Sequence, residues 1–165
     1  MTTEVLPGEL RVRRPKDKEE LILQLLVPPE GEGLFGTRAE VLVFAAALGW
    51  SRNSRVELKE FAEPIRFEVF RKMPTVEAFI EGLAVMAEPG NPEILSDARA
   101  SDRLRIFEEY ANGGLAVIRG ELNTTRATAA DALIDLVRDA SEANRDKASK
   151  VPADIRKILS RPDWS

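Results

Sequence analysis

The sequence contains neither cysteine nor histidine. Without cysteine there is no disulfide, no thiolate metal ligand and no thiol nucleophile. Without histidine, most zinc chemistry, the Ser-His-Asp and Cys-His arrangements and the commonest general base near neutral pH are excluded. Chemistry by carboxylate, Lys, Tyr or Ser remains open, as does Mg²⁺ held by Asp and Glu. Aromatic residues make up only 6% of the chain, which weighs against an all-β sandwich. No apolar run approaches the roughly 20 residues that span a bilayer, and Met1-Thr2-Thr3-Glu4 lacks the basic-then-apolar pattern of a signal peptide. The expectation is a cytoplasmic protein with no membrane partner.

What is present suits one helical core. A chain of 165 residues, 44% apolar and 32% charged, is long enough to bury a proper interior and charged enough for helices with solvated outer faces. The net charge of -4 does not describe a generic polyanion binder, so any contact with nucleic acid has to come from a local basic stripe.

Along the chain, Leu10 to Arg14 alternates apolar and basic residues and reads as an extended arm ending at Pro15. Acids followed by clustered apolar residues predict a helix over Lys16 to Leu26, stopped by Pro28-Pro29. Thr37-Arg38-Ala39-Glu40 is a capping box, opening a helix that reaches Leu48 with Gly49 placed as its left-handed cap. Glu63 to Phe70 looks like a short helix with Pro64 in its first turn. Thr75 opens another helix that ends at Pro89-Gly90, and Asn91-Pro92 starts one leading towards Tyr110, with Asn112-Gly113-Gly114 as a break. Leu115 to Ile118 suits a helical turn or a short strand. Thr128 to Ala140 is amphipathic, with Ala129, Leu133, Leu136, Val137 and Ala140 on one stripe. The predicted fold is all-α: a compact multi-helix domain over residues 1–141, with a short extended N-terminal arm, followed by a charged C-terminal tail over 142–165 holding one short helix, Pro152 to Leu159.

Four features invite a chemical reading. Arg11, Arg13, Arg14 and Lys16 make the arm the densest positive cluster, able to track a phosphate backbone or simply to solvate an edge. Arg52 and Arg55, in the loop after Gly49-Trp50, are placed to join the arm on one phosphate-binding face, though charged loops between helices commonly serve only solubility. Asp97, Asp102, Glu108 and Glu109 resemble an Mg²⁺ cluster in composition, but the interleaved Arg99, Arg103 and Arg105 give the spacing of ion pairs on an exposed helix face. Gly31-Glu32-Gly33-Leu34-Phe35-Gly36 spells GxGxxG, yet it follows two prolines instead of a strand and carries acids that repel pyrophosphate, so it reads as a flexible connector. No catalytic residue, metal ligand or cofactor is assigned.

Arg13-Arg14-Pro15-Lys16-Asp17-Lys18-Glu19, Leu34-Phe35-Gly36-Thr37, Val43-Phe44-Ala45-Ala46-Ala47-Leu48-Gly49-Trp50 and Phe107-Glu108-Glu109-Tyr110-Ala111-Asn112-Gly113-Gly114 together resemble the small accessory proteins called Dnd system-associated protein 4, found beside bacterial DNA phosphorothioation genes. The resemblance covers Val12 to Val137. It implies a place in a DNA sulfur-modification or restriction defence system and supplies no catalytic residue. The central Ala-rich helix is also similar to that of the helical Dnd component that assembles as a tetramer on nicked DNA, which implies a homo-oligomer.

Two expectations follow. One is a non-catalytic, DNA-contacting accessory subunit that uses Arg11, Arg13, Arg14, Lys16, Arg52 and Arg55 on phosphates. The other is an adaptor without DNA affinity that binds another protein of the same defence system through its charged tail or through the Phe67-Val69-Phe70 region.

Overall fold

The structure is a computed structural model that describes residues 10–126 and 128–149. Its elements are β1 (Arg11–Pro15), α1 (Glu19–Gln24), α2 (Arg38–Ser51), β2 (Phe61–Arg66), α3 (Phe67–Arg71), α4 (Val76–Ala87), α5 (Ala100–Thr124) and α6 (Ala129–Ser149), with 3₁₀ turns at Lys16–Lys18, Pro92–Leu95 and Asp97–Arg99. The chain divides into two units, Met1–Ala132 and Leu133–Ser165. The fold is therefore mainly helical, but not all-α.

The correction lies in the ribbon that β1 and β2 form. They pair antiparallel, with Arg11 opposite Arg66, Val12 opposite Ile65 and Arg14 opposite Ala62, and the register shifts between Val12 and Arg14. The extended arm is borne out and finds a partner. Pro64, expected to open a helix over Glu63 to Phe70, instead sits inside β2, a position tolerated in a ribbon whose outer edge needs no N–H donor. The helix there is only Phe67–Arg71.

The organising element is α5. Every residue from Ile106 to Leu115 is buried, so the helix is enclosed around its whole circumference by other parts of the chain. It packs against α2, α4 and β1. The Asn112-Gly113-Gly114 sequence, expected as a break, lies in the middle of this helix because its glycines serve close approach. A Cβ added to Gly114 would stand 1.7 Å from the carbonyl oxygen of Ala45 in α2, and one on Gly113 would stand 1.8 Å from that of Ser54. The expected helix cap Gly49 is likewise interior to α2, where its Cβ would meet the Tyr110 carbonyl at 2.1 Å. Tertiary contact keeps α2 helical to Ser51, and the positive φ falls on Asn53 instead, at 51°.

Around this crossing the core is conventional. Phe70 and Phe107 meet edge to face at 5.7 Å and Phe67 stacks on Phe70 at 6.5 Å, an arrangement worth about 0.5–1.5 kcal/mol per pair beyond the area it buries. The capping box at Thr37 is formed in full: Glu40 N–H donates to Oγ1 of Thr37 at 3.2 Å, and the Glu40 carboxylate accepts from Thr37 N–H at 3.1 Å. The helix predicted from Lys16 begins as a 3₁₀ turn and becomes α-helical only over Glu19–Gln24. Asn91-Pro92 opens a 3₁₀ turn, and α5 starts at Ala100.

In α6 the helix continues through Ser141 to Ser149. Thr128 caps it, its hydroxyl accepting from Asp131 N–H at 3.2 Å and donating to the Asp131 carboxylate at 2.7 Å. Of the expected stripe, Ala129, Leu133 and Leu136 are buried and Val137 is exposed. The predicted helix from Pro152 to Leu159 lies outside the described residues.

Candidate nucleic-acid interface

The backbone N–H groups of the GxGxxG segment are engaged from Glu32 to Gly36. The carbonyls at the end of α1 would be orphans, and the loop satisfies them: Glu32 N–H donates to Gln24, Gly33 N–H to Leu26, and Leu34 and Phe35 N–H to Leu25. Gly36 and Thr37 N–H both donate to Glu40. Gly33 lies so close to Leu25 that a Cβ would meet its carbonyl oxygen at 2.0 Å. A string that in other settings cradles phosphate is here a helix C-terminal cap whose N–H groups from Glu32 to Gly36 are already used.

The cations predicted to bind phosphate separate into two sets. Arg13, on β1, donates from its backbone N–H to Oε1 of Glu108 at 2.8 Å and from Nε to Oε2 at 2.9 Å, with Nη2 2.7 Å from the same oxygen. Its guanidinium also lies over the Phe61 ring, 4.4 Å from the centroid. Arg14 is buried; its Nε donates to the Glu63 carbonyl at 2.8 Å and its Nη1 to Glu19. Arg55 donates to Glu109 at 2.5 Å and faces the Tyr110 ring at 5.6 Å. The arm and the loop after α2 do converge, since Arg13 and Arg55 reach neighbouring residues of α5. The anions they meet there are the protein's own Glu108 and Glu109.

Arg11, Lys16 and Arg52 form the second set. All three are exposed, and no carboxylate among the described residues pairs with them. Arg11 faces Arg66 directly across the ribbon, and Arg66 is equally exposed and unpaired among the described residues. Like charges opposite each other on a strand pair repel, so this juxtaposition favours an external anion.

Arg11 also lines a cleft of about 370 Å³ between β1 and the first turns of α5. Arg13 and Arg105 join it on the rim, with Leu10, Leu104 and Ser101. Arg105 is held loosely, 3.4 Å from Asp102 and 3.9 Å from Glu109. Asp102 is bound more closely by Arg99, whose hydrogen bond holds the Asp102 carboxyl below the usual carboxylate range. The acids expected on an exposed helix face are thus only partly so: Asp102 makes such ion pairs, whereas Glu108 and Glu109 are buried. Sequence reasoning misses Arg66, because its segment suits a helix, and passes over Arg105 as one of several surface ion-pairing residues. The available signal for Arg66 is Pro64, which favours an edge strand as much as a helix start.

Burial pushes the Glu108 carboxyl above the usual range, against the hydrogen bonds and charge of Arg13, and Glu109 adds to the rise. A raised value means that the folded state retains a proton that the unfolded chain releases, so folding stability falls as pH rises from the ordinary value of 4.5 towards the folded one. Urea unfolding of wild type and Glu108→Gln over this acidic window should show the stability advantage of wild type shrinking as pH increases. An advantage that grows with pH would mean that Arg13 outweighs burial.

The fold and the site define a mainly helical protein built around one enclosed helix, with an arginine-lined cleft beside that helix's first turns. The chain belongs to the DNA sulphur modification system-associated protein 4 family, whose model matches residues 11–157. Neither the curated proteins nor the solved structures contain a significant match to it. The segments that carried the resemblance are mostly packing elements: the Ala-rich α2 and the Phe107 to Gly114 stretch of α5 are the two sides of the central crossing. Among the described residues no helix is long and apolar enough to cross a membrane.

Proposed function

We propose that this chain is a non-catalytic accessory subunit of a DNA sulphur modification system that contacts DNA phosphates through the outer face of the β1–β2 ribbon. Arg11 and Arg66 are the principal contacts, with Lys16 and Arg52 as further exposed cations. The observation that carries this reading is the like-charge pair of Arg11 and Arg66, which has no carboxylate partner among the described residues, whereas Arg13, Arg14 and Arg55 are neutralised internally. Contacts of this kind are electrostatic and indifferent to base sequence. Other proteins of the modification system are its partners, as the family's association implies.

Fluorescence-anisotropy titrations of plain, phosphorothioated and nicked duplexes across a range of salt test the reading. Wild type should bind with strong salt dependence. Arg11→Ala with Arg66→Ala should lower the slope of log affinity against log salt by about 0.9 for each phosphate no longer neutralised, at unchanged melting temperature. Arg14→Ala should instead lower the melting temperature, since it removes the Arg14 donor from the Glu63 carbonyl and leaves Glu19 with Arg38 alone. Absence of duplex binding by wild type at low salt removes the proposal.

That outcome would favour an adaptor that binds another protein of the system. The exposed Val85 and Met86 of α4 and the exposed Leu95 of the 3₁₀ turn packed on it supply an apolar surface for such a role. The Phe67-Val69-Phe70 region does not, because both phenylalanines are buried and only Val69 is exposed.

A further inference from the structure

We infer that the cleft between β1 and α5 binds a terminal phosphate, that of a DNA strand end or of a free nucleotide. The inference rests on the DNA-contacting reading above and assigns one recessed site within it. A cleft of about 370 Å³ falls at the small end of ligand sites, a size suited to a single nucleotide unit and far too small for a duplex. Its polar lining includes three guanidinium groups, whose planar forks match phosphate oxygens two at a time, beside Ser101 and the carboxylates of Asp102 and Glu108.

The availability of these groups is graded. Arg11 has no carboxylate partner among the described residues. Arg105 has only the long contacts to Asp102 and Glu109 and a side chain 48% exposed, so both can turn to a ligand at small cost. Arg13 is fixed by Glu108 through Nε and Nη2 while its side chain stays 41% exposed, which gives the cleft one guanidinium of settled orientation. Arg66, opposite Arg11 on the ribbon, adds to the positive potential around Arg11. A phosphomonoester carries close to two charges near neutral pH and an internal diester one, so a site with several guanidiniums discriminates in favour of the terminal group. Leu10 and Leu104 supply an apolar lining suited to a sugar or base edge. Asp102 and Glu108 remain on the wall, and their charge is met by Arg99 and Arg13.

The test uses the full chain and single-stranded oligonucleotides of one sequence bearing a phosphate at the 5′ end, at the 3′ end or at neither. Deoxyadenosine monophosphate and deoxyadenosine serve as competitors, and Arg105→Gln and Arg11→Gln as variants checked for unchanged melting temperature. At least a tenfold preference for one phosphorylated oligonucleotide over the unphosphorylated one, abolished in both variants, is the expected result and identifies strand ends as the source. Competition by the monophosphate but not by the nucleoside, without any preference among oligonucleotides, identifies a free nucleotide. Equal binding of all three oligonucleotides with no competition overturns the inference while leaving duplex binding intact. Retained monophosphate binding with no duplex affinity overturns the broader DNA reading and leaves the cleft assignment standing.

Discussion

Gly114→Ala should lower the melting temperature by about 10 °C, while Gly120→Ala, in the same helix, should raise it slightly. The two substitutions add the same methyl group to the same α-helix, so helix propensity favours both, by about 0.4–1 kcal/mol. At Gly120 a Cβ meets nothing within 4 Å and the propensity gain stands alone. At Gly114 it would fall 1.7 Å from the Ala45 carbonyl oxygen and 2.9 Å from the Ala45 Cα. Those are backbone atoms of α2, so no side chain can swing aside and the two helices must separate. Separation also loosens Gly49 against Tyr110 and Gly113 against Ser54, the other close approaches at the same crossing. Overpacking of this kind costs about 3 kcal/mol, which at this chain length corresponds to roughly 6–12 °C. Thermal and urea unfolding followed by far-UV circular dichroism measure both variants. Similar destabilisation by the two would mean that the crossing is not the tightest point of the core.

The sequence makes elements legible where local chemistry and tertiary packing agree. The capping box at Thr37, the extended arm before Pro15 and the amphipathic run after Thr128 are visible because side-chain capping, proline geometry and apolar period act within a few residues. It misleads where packing reverses a local preference. Gly113 and Gly114 are helix breakers by propensity, yet they occupy the centre of α5 because only they allow α2 and the Ser54 loop to come so close. Pro64 suits a helix start and an edge strand equally, and the choice is made by β1, a partner about 50 residues away.

The candidate site is half legible for a related reason. A cluster of arginines is visible in the sequence, and the charge pattern singles out Arg11, Arg13, Arg14, Lys16, Arg52 and Arg55. Which of them are free depends on carboxylates distant in sequence. Glu108 lies 95 residues from Arg13, and Glu109 lies 54 from Arg55. Composition counts those acids as part of the net charge of -4, but only the fold shows that they neutralise particular arginines and leave Arg11 and Arg66 exposed.

Asn112→Leu should destabilise the chain by about 3 kcal/mol, much of it recovered when Lys18→Met is added. Asn112 is buried within α5, and its Oδ1 accepts from the buried ammonium of Lys18 at 2.6 Å while Nδ2 donates to the carbonyls of Val56 at 3.2 Å and Glu57 at 3.3 Å. One amide thus ties the end of the N-terminal arm, the central helix and the loop carrying Arg55. Leucine leaves a buried ammonium with only the exposed Asp17, at 3.2 Å, and two carbonyls without a donor. Replacing Lys18 as well removes the charge and with it the largest part of the penalty, so the double-mutant cycle should show a coupling of about 1–3 kcal/mol. Additive losses would indicate that Lys18 is satisfied by Asp17 and that Asn112 serves only the loop. The same cycle bears on function, because neither side chain lies in the arginine cleft. A double variant that regains stability should bind DNA as wild type does, whereas a lasting loss of affinity in a stable protein would place recognition in the Arg55 loop instead of on the ribbon.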